Sequence, residues 1–555
     1  MDYKQHIAEL IGSELVSKND IGEALEGHGD FALPCFKYAR ELKKSPALIA
    51  ADFASNMAKS PFIDRAVVEG GYLNFYLNRA KRVEQILESA SSEEDFKSAR
   101  QANKGKTVCI DYSSINIAKP FHIGHLMSTA IGGSLYKIYE FLGWKGVGIN
   151  YLGDWGTQFG KLLAAYEKWG DKTKKLTLND LLELYVRFND ESERDEELKE
   201  RGRTEFLRIE RGEKQALETY EMFKKTTLEE VNKVYKRLGI EFDSYNGEAF
   251  YNDKMGPVIR ELDDKGLTQI SDGAKIVSLE EYGMPPCLIE RSDGATLYAT
   301  RDLAAAEYRA KTYKFSKSLY VVATQQNLHF RQVFKVLELM GKEWAKNMEH
   351  IAFGMVSYEG QPLSTRKGHI VFLADVIETA VQKARAIIEE KNPSLEGKDE
   401  IAEEVGVGAV MFFALSTARM KDLDFRYDRV LSFEGETAPY LQYTHARCRS
   451  VVAKANLKCE KVDYSLLTDD VSYACIDLIG RFYETVAQAA EKNEPSIIAK
   501  YLIDLAQAYN KFYIMNRVIS SDKALSAARI QLTSLSADIL KKGLSLLLIK
   551  APDKM

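Results

Sequence analysis

Two histidines spaced by Ile-Gly, His122-Ile123-Gly124-His125, follow a strand-like run and a polar turn and open a helical pattern. A helix N-terminus presents unpaired amide N–H groups and the positive end of the helix dipole, and glycine there keeps no side chain between a phosphate and the backbone. Imidazoles at that place suit the stabilisation of charge developing on a phosphate in transit; a metal pair or two surface histidines would use the same spacing. A second group, Leu363-Ser364-Thr365-Arg366-Lys367-Gly368, is a short polar and basic loop between apolar segments. Its donors and cations could follow a pentacovalent phosphate and a departing pyrophosphate, although ordinary solvated turns have the same composition. Tyr298 and Asp302 stand four apart, on one face if a helix begins there, where by themselves they read as an aromatic core residue and a helix cap.

The elements that must hold these groups follow from periodicity. TVCIDYSS from Thr107 is a short β-branched and apolar run, and the helix from His122 places Leu126, Ala130, Leu135, Ile138, Tyr139 and Leu142 near one face before Gly143 stops it. Strand, turn, helix and a further strand in GVGINYLGDWG begin a parallel α/β sheet. The stretch from 170 to about 240 is dense in Glu, Lys and Arg with enough Leu, Phe and Tyr for long amphipathic helices, a helical insertion. The runs AKIVSL, PCLIE, SLYVVAT and HIAFGMV are expected to complete the sheet after it. Before position 90, a helical period around Ala47–Ala54 and the alternating VVEGGYLNFYL make a small α+β unit; after about 430 the chain reads as successive helices.

At 555 residues the chain is far too long for one core. With 45% hydrophobic and 28% charged residues it falls in the globular range, which excludes disordered and fibrous classes. No apolar run approaches the roughly 20 residues of a membrane span, and the charged N-terminus lacks the apolar stretch of a signal peptide, so a soluble, non-exported protein is expected. Six scattered cysteines are expected to be reduced, cytosolic and mostly buried. The net charge of −5 does not argue against nucleic acid, because a local basic face is enough to bind a phosphate backbone.

The block SSINIAKPFHIGHLMSTAIGG resembles the first signature of class I aminoacyl-tRNA synthetases, and its N-I-A-K-P-F is similar to the arginyl-tRNA synthetases in particular. Further blocks agree in order: NYLGDWGTQFGKL, RSDGATLYATRDLAAA, VVATQQNLHFRQVFKVLELMG, LSTRKG, LSFEGETAPYLQYTHAR, with GHGDFALP near the start and IKAPDKM at the end. The resemblance therefore covers nearly the whole chain. LSTRKG stands where other class I enzymes carry K-M-S-K-S, with Pro362 in place of the first lysine and Leu363 in place of Met. Ile115 replaces a common Pro and Met127 a frequent Arg, neither being a group that the chemistry needs.

What the resemblance implies is an α/β, class I Rossmann-like catalytic domain with a parallel sheet over 96–430, its helical insertion at about 165–245, an N-terminal α+β domain over 1–95 that touches the tRNA elbow, and an all-α anticodon-binding helix bundle over 431–555. The implied activity is ATP-dependent ligation of L-arginine to tRNA(Arg) through arginyl-adenylate, with Mg2+ accompanying ATP, no structural metal, no membrane, a cytoplasmic location and a monomer. It also implies that acylation starts at the 2′-hydroxyl and that arginine activation needs bound tRNA. By the same resemblance His122, His125, Lys119, Arg366 and Lys367 are catalytic, Lys119 compensating for the missing lysine, and His122, Gly124, His125, Leu363 and Ser364 hold ATP. Asp111, Ser113, Asn116, Tyr298, Asp302 and Gln326 hold arginine, while Asp154 and Gln158 belong to the rim of the site and Trp155 to packing. Tyr440, Tyr443, Arg447 and Arg449, with Tyr509, Phe512 and Tyr513, are candidates for tRNA contact by stacking or phosphate pairing. A glutaminyl or cysteinyl enzyme would need a neutral or metal-containing pocket; a noncatalytic relative would have lost signature residues; a metalloenzyme would need a third ligand beside the two histidines.

Overall fold

A computed structural model of the chain describes residues 3–25, 27–119, 121–292, 298–362, 371–455 and 462–555. They form two units: residues 1–94, 451–481 and 507–536, and residues 95–450, 482–506 and 537–555. In the first, the strands Gly22–Glu23, Phe31–Pro34, Tyr72–Leu77 and Ile63–Glu69 make an antiparallel sheet in that order. VVEGGYLNFYL is thus not one strand but a hairpin, because Gly70 takes φ +60° and reverses the chain. Ser45 caps the helix Pro46–Asn56 by accepting from Leu48 N–H, and Ile7, Ile49, Leu73 and Phe75 fill the core. Arg79 and Arg82 pair with Asp470 and Asp477 of the helix Asp470–Gly480 at 2.6 and 2.5 Å. Tyr509 and Phe512 of the same unit are fully buried, core residues that cannot stack on RNA as proposed above, whereas Tyr513 is 39% exposed.

The second unit is built on a four-stranded parallel sheet in the order Met348–His350, Lys317–Tyr320, Thr107–Asp111, Lys145–Ile149. From Thr107–Asp111 the chain crosses one way to Lys145–Ile149 and later returns to Lys317–Tyr320 on the other side. A crevice therefore opens beyond the paired carboxyl ends Asp111 and Tyr320, where the connections diverge. Two runs expected in this sheet lie elsewhere: Ala274–Val277 and Cys287–Glu290 join Thr268–Ser271 in a separate antiparallel sheet. The reason is the turn Asp272-Gly273, whose positive φ values (+50° and +78°) close a tight hairpin and so impose antiparallel pairing.

The helix Leu126–Phe141 is buried on every side through its first ten residues, not along one stripe, since it runs through the centre of the unit. Gly132 lies against the Tyr112 ring, where any Cβ would overlap it. Farther along, Ser134 donates to Leu546 O at 2.8 Å, and Tyr139 donates to Asn493 Oδ1 at 2.8 Å. The insertion is helical: Thr157–Trp169, Leu178–Ser192, Glu196–Glu210 and the 25-residue Lys214–Leu238. The five described cysteines are buried and none of them is in a disulfide; Cys459 lies outside the described residues. Among the described residues no helix is long and apolar enough to cross a membrane.

Candidate active site

The turn between Asp111 and the histidines is strained: Ser113, Ser114 and Ala118 take φ +68°, +45° and +59° without being glycine. Each is held by a different neighbour. Ser114 Oγ donates to Asp111 Oδ1 at 2.6 Å, Ser113 N–H to Ser128 Oγ at 2.9 Å, and Ala118 N–H to Thr227 Oγ1 at 3.1 Å. The result leaves Asn116 and Lys119 exposed at the crevice, Asn116 bridging to Gly153, where a Cβ would overlap its side-chain oxygen.

The rings of His122 and His125 lie tilted by 45° with centroids 4.1 Å apart at the start of the buried helix. Gly124 N–H donates to His122 Nδ1 at 3.0 Å, and His122 N–H to His125 Nδ1 at 3.2 Å. Ile123 N–H donates to Val371 O and His125 N–H to His122 O. The amides expected to be open for phosphate are therefore occupied, a correction with a chemical consequence. Because His122 Nδ1 accepts, its neutral ring carries the proton on Nε2, whereas His125 Nδ1 lies 3.2 Å from His122 N and 3.3 Å from His122 O and takes the role its tautomer sets. Burial lowers both pKa values, that of His125 to about 3 with the neighbouring His122 adding to the effect. Two neutral imidazoles, not imidazolium ions and not open backbone amides, therefore stand at the start of the helix.

Leu363, Ser364, Arg366 and Lys367 lie outside the described residues. Their flanks are placed: Gln361–Pro362 pairs antiparallel with Val356–Tyr358, and on the far side Phe372 bridges to His122 while Leu373 N–H donates to Phe121 O. Val371, Phe372 and Leu373 thus lie along Phe121–Ile123, beside the histidines.

The acidic side of the crevice differs from expectation. The guanidinium that Asp111 meets is the protein's own: Arg309 Nη2 lies 2.8 Å from Asp111 Oδ2, both side chains being at most 5% exposed, with Arg309 set over the Tyr151 and Tyr320 rings. With Ser114 on its other oxygen, Asp111 holds the turn instead of facing a ligand. Ser113 is likewise turned inward, its hydroxyl 2.7 Å from Tyr235 OH and 2.9 Å from Thr129 Oγ1. Tyr298 is 69% exposed at the start of the helix Tyr298–Tyr313. One turn on, Asp302 reaches the crevice and pairs with His329 Nε2 at 2.6 Å. Gln326, exposed, caps the helix that carries His329.

Glu248 and His329 are the residues that sequence reasoning missed. Glu248 lies 3.4 Å from buried Arg301 and is flanked by Asp302, Asp154 and Lys119; burial, the largest influence, raises its pKa to about 7. Its loop is held by Asp154, which is fully buried and accepts from Ala249 N–H at 2.9 Å and from Lys224 Nζ at 2.8 Å. Gly247 is required there, because a Cβ would overlap Asp154 Oδ1 and crowd Leu152 O. The available signal was an acid and a glycine set between aromatics in Tyr245-Asn-Gly-Glu-Ala-Phe-Tyr251. Gln158 donates to Trp155 O, and Trp155 packs edge-on against Phe206.

Of the tRNA candidates, Tyr443 is 42% exposed with Arg447 over its ring at 4.9 Å, and Tyr440 is half-buried. Arg449 is held in an ion pair with Asp538 at 2.8 Å.

A strand, a strained turn and paired imidazoles at the switch point of a parallel sheet define the catalytic unit of a class I aminoacyl-tRNA synthetase. Residues 83–427 match the family model "tRNA synthetases class I (R), catalytic domain", residues 3–77 the "Arginyl tRNA synthetase N terminal domain" and residues 441–555 the "DALR anticodon binding domain". Proteins named arginine–tRNA ligase from Alkaliphilus metalliredigens and Halothermothrix orenii are 46% and 48% identical over the full length of both chains. The arginyl-tRNA synthetase structure from Thermus thermophilus superposes with a TM-score of 0.81 at 26% identity, covering 100% of this chain and 99% of the other. The chain belongs to the arginyl-tRNA synthetases.

Proposed function

We propose that this chain joins L-arginine to tRNA(Arg) at the expense of ATP, through arginyl-adenylate. An arginine carboxylate oxygen attacks the α-phosphorus, the bond to the β-phosphate oxygen breaks and pyrophosphate leaves. A ribose hydroxyl of the terminal adenosine, the 2′ group first, then attacks the arginyl carbonyl and AMP departs. The observation that carries the reading is one crevice in which two neutral imidazole donors stand on one side and Glu248 with Asp302 on the other, with Lys119 electrostatically coupled to both.

His122 and His125 donate from Nε2 to phosphate oxygens whose charge grows in the transition state. Lys119, with Arg366 and Lys367, balances that charge, and Gly124, Leu363 and Ser364 line the ATP side. Asp302 and Glu248 receive the guanidinium, whose fixed planar donors suit two carboxylates. Asn116 and Gln326 hold the α-amino and carboxylate groups, and Tyr298 covers the side chain. Mg2+ enters as the chelate of ATP. Residues 1–95 meet the tRNA elbow, and 431–555, with Tyr440, Tyr443 and Arg447, its anticodon arm. The test is ATP–pyrophosphate exchange with each of the twenty amino acids, with and without total tRNA. Exchange confined to arginine and to reactions holding tRNA supports the reading; exchange with another amino acid overturns the assignment of the two carboxylates.

A further inference from the structure

One face of the helix Lys214–Leu238 touches two of the segments that form the crevice and reaches a third through Asp154. Tyr220, Lys224, Thr227 and Tyr235 lie at steps of four, three and eight residues, which a 3.6-residue period places in a single stripe. The four polar tips between them hold two segments, the turn after Asp111 and the loop 150–154. Tyr220 OH donates to Asp154 O at 2.7 Å, and Lys224 Nζ to Asp154 Oδ2 at 2.8 Å. Thr227 Oγ1 accepts Ala118 N–H, while its own proton goes to Phe223 O at 2.9 Å. Tyr235 OH joins Ser113 Oγ and receives Asn150 Nδ2 at 3.0 Å. The turn 113–119, the loop 150–154 and, through Asp154 and Ala249 N–H, the loop carrying Glu248 are thus set against one rigid rod.

We propose that this stripe positions the catalytic groups, with Lys224 and Thr227 as positioning residues that touch no substrate. Lys224 is the one cation bonded to buried Asp154 among the described residues, so it fixes where Asp154 presents its second oxygen to Ala249 and hence where Glu248 stands. Thr227 supplies the acceptor for an amide in a left-handed conformation, and so holds the strained backbone that aims Lys119. A helix inserted between two strands of the sheet thereby acts as the jig for residues contributed by three separate segments. The proposal rests on the arginine-ligase reading, and its test separates the two.

Full-length variants Lys224→Met, Lys224→Arg, Thr227→Val and Thr227→Ser are assayed by arginine-dependent exchange in the presence of tRNA, with KM for arginine and for ATP measured separately. Misplacing a reacting or binding group by an ångström costs about a hundredfold, so Lys224→Met is expected to raise KM for arginine at least about tenfold while KM for ATP stays within about twofold. Thr227→Val is expected to lower kcat about 10- to 100-fold with both KM values nearly kept, and Thr227→Ser, which retains the acceptor, to stay within about twofold of wild type. A purely structural role would lower kcat in step with the folded fraction, leave both KM values unchanged and show no rescue by serine; that result, or wild-type kinetics in all four variants, overturns the proposal. Should Lys224→Met not fold, the Val and Ser pair decides alone. Absence of arginine-dependent exchange in the wild type instead removes the functional reading.

Discussion

Replacing Glu248 by Gln removes one of two carboxylates from the arginine side of the crevice while keeping shape and hydrogen-bonding capacity. With a pKa raised to about 7 by burial, Glu248 in the empty site is half protonated at neutral pH. The guanidinium of arginine stays charged throughout and favours the ionised form, so binding must expel a proton below neutrality. If only ionised Glu248 binds well, KM for arginine falls about fivefold from about pH 6 to 7 and about twofold more to pH 8, in proportion to the ionised fraction. A hydrogen bond to a charged group contributes about 1.5–3 kcal/mol, so Glu248→Gln raises KM roughly 10- to 100-fold at pH 8. At pH 6, where the wild type is about nine-tenths protonated, the gap shrinks by about tenfold. The assay is arginine-dependent pyrophosphate exchange with tRNA present across this pH range. A wild-type KM for arginine that is flat with pH, or a Gln variant that keeps the wild-type slope, refutes the reasoning. The linkage has a stability side of defined sign. A carboxyl raised from 4.5 to about 7 binds more protons folded than unfolded, so its contribution disfavours the fold progressively as pH rises through that window, and Glu248→Gln should flatten the decline of Tm there.

Removing an oxyanion-type donor typically lowers kcat by about 10²- to 10³-fold, and His122→Ala should do so with little change in KM for arginine. Because burial keeps His122 and His125 neutral, the kcat profile should show no inflection near the ordinary imidazole pKa. Arg309→Met takes the cation from the buried Asp111 carboxyl and should destabilise the protein by about 3–5 kcal/mol, read by urea denaturation, whereas Asp111→Asn with Arg309→Met should recover much of it; equal loss in the double variant would contradict the pairing. Gly153→Ala should push the Asn116 side chain aside and raise KM for arginine with Tm nearly unchanged, while Gly247→Ala, crowding Asp154, should lower both activity and Tm.

Much of this protein was legible in one dimension because it depends on neighbours in sequence. The strand Thr107–Asp111, the helix from Leu126 and the helices between 157 and 238 follow from local periodicity, and the two histidines sit three residues apart at a helix start. Types and spacing alone left a phosphate site, a metal pair and surface histidines open there, and the ordered blocks along the chain pointed to the family. Tertiary structure decided what lies beyond that range. That Asp111 belongs to Arg309, 198 positions later, and that Asp302 meets His329 are outcomes of strands and helices folding onto one crevice. Parallel pairing of the runs after the insertion was expected, yet the short Asp272-Gly273 turn folds Ala274–Val277 back on Thr268–Ser271, and Cys287–Glu290 adds antiparallel to it. The glycine and the aromatics around Glu248 mark its segment, but its charge state is not written there: burial, with Asp302 and Asp154 nearby and against the pull of Arg301, raises its pKa. The histidines' protonation was equally invisible, because it depends on which backbone amides reach each Nδ1 and on how much water is excluded. Sequence determines which groups are available and their local geometry; desolvation and long-range pairing, which set charge states and decide which groups face a ligand, exist only once distant segments have been brought together.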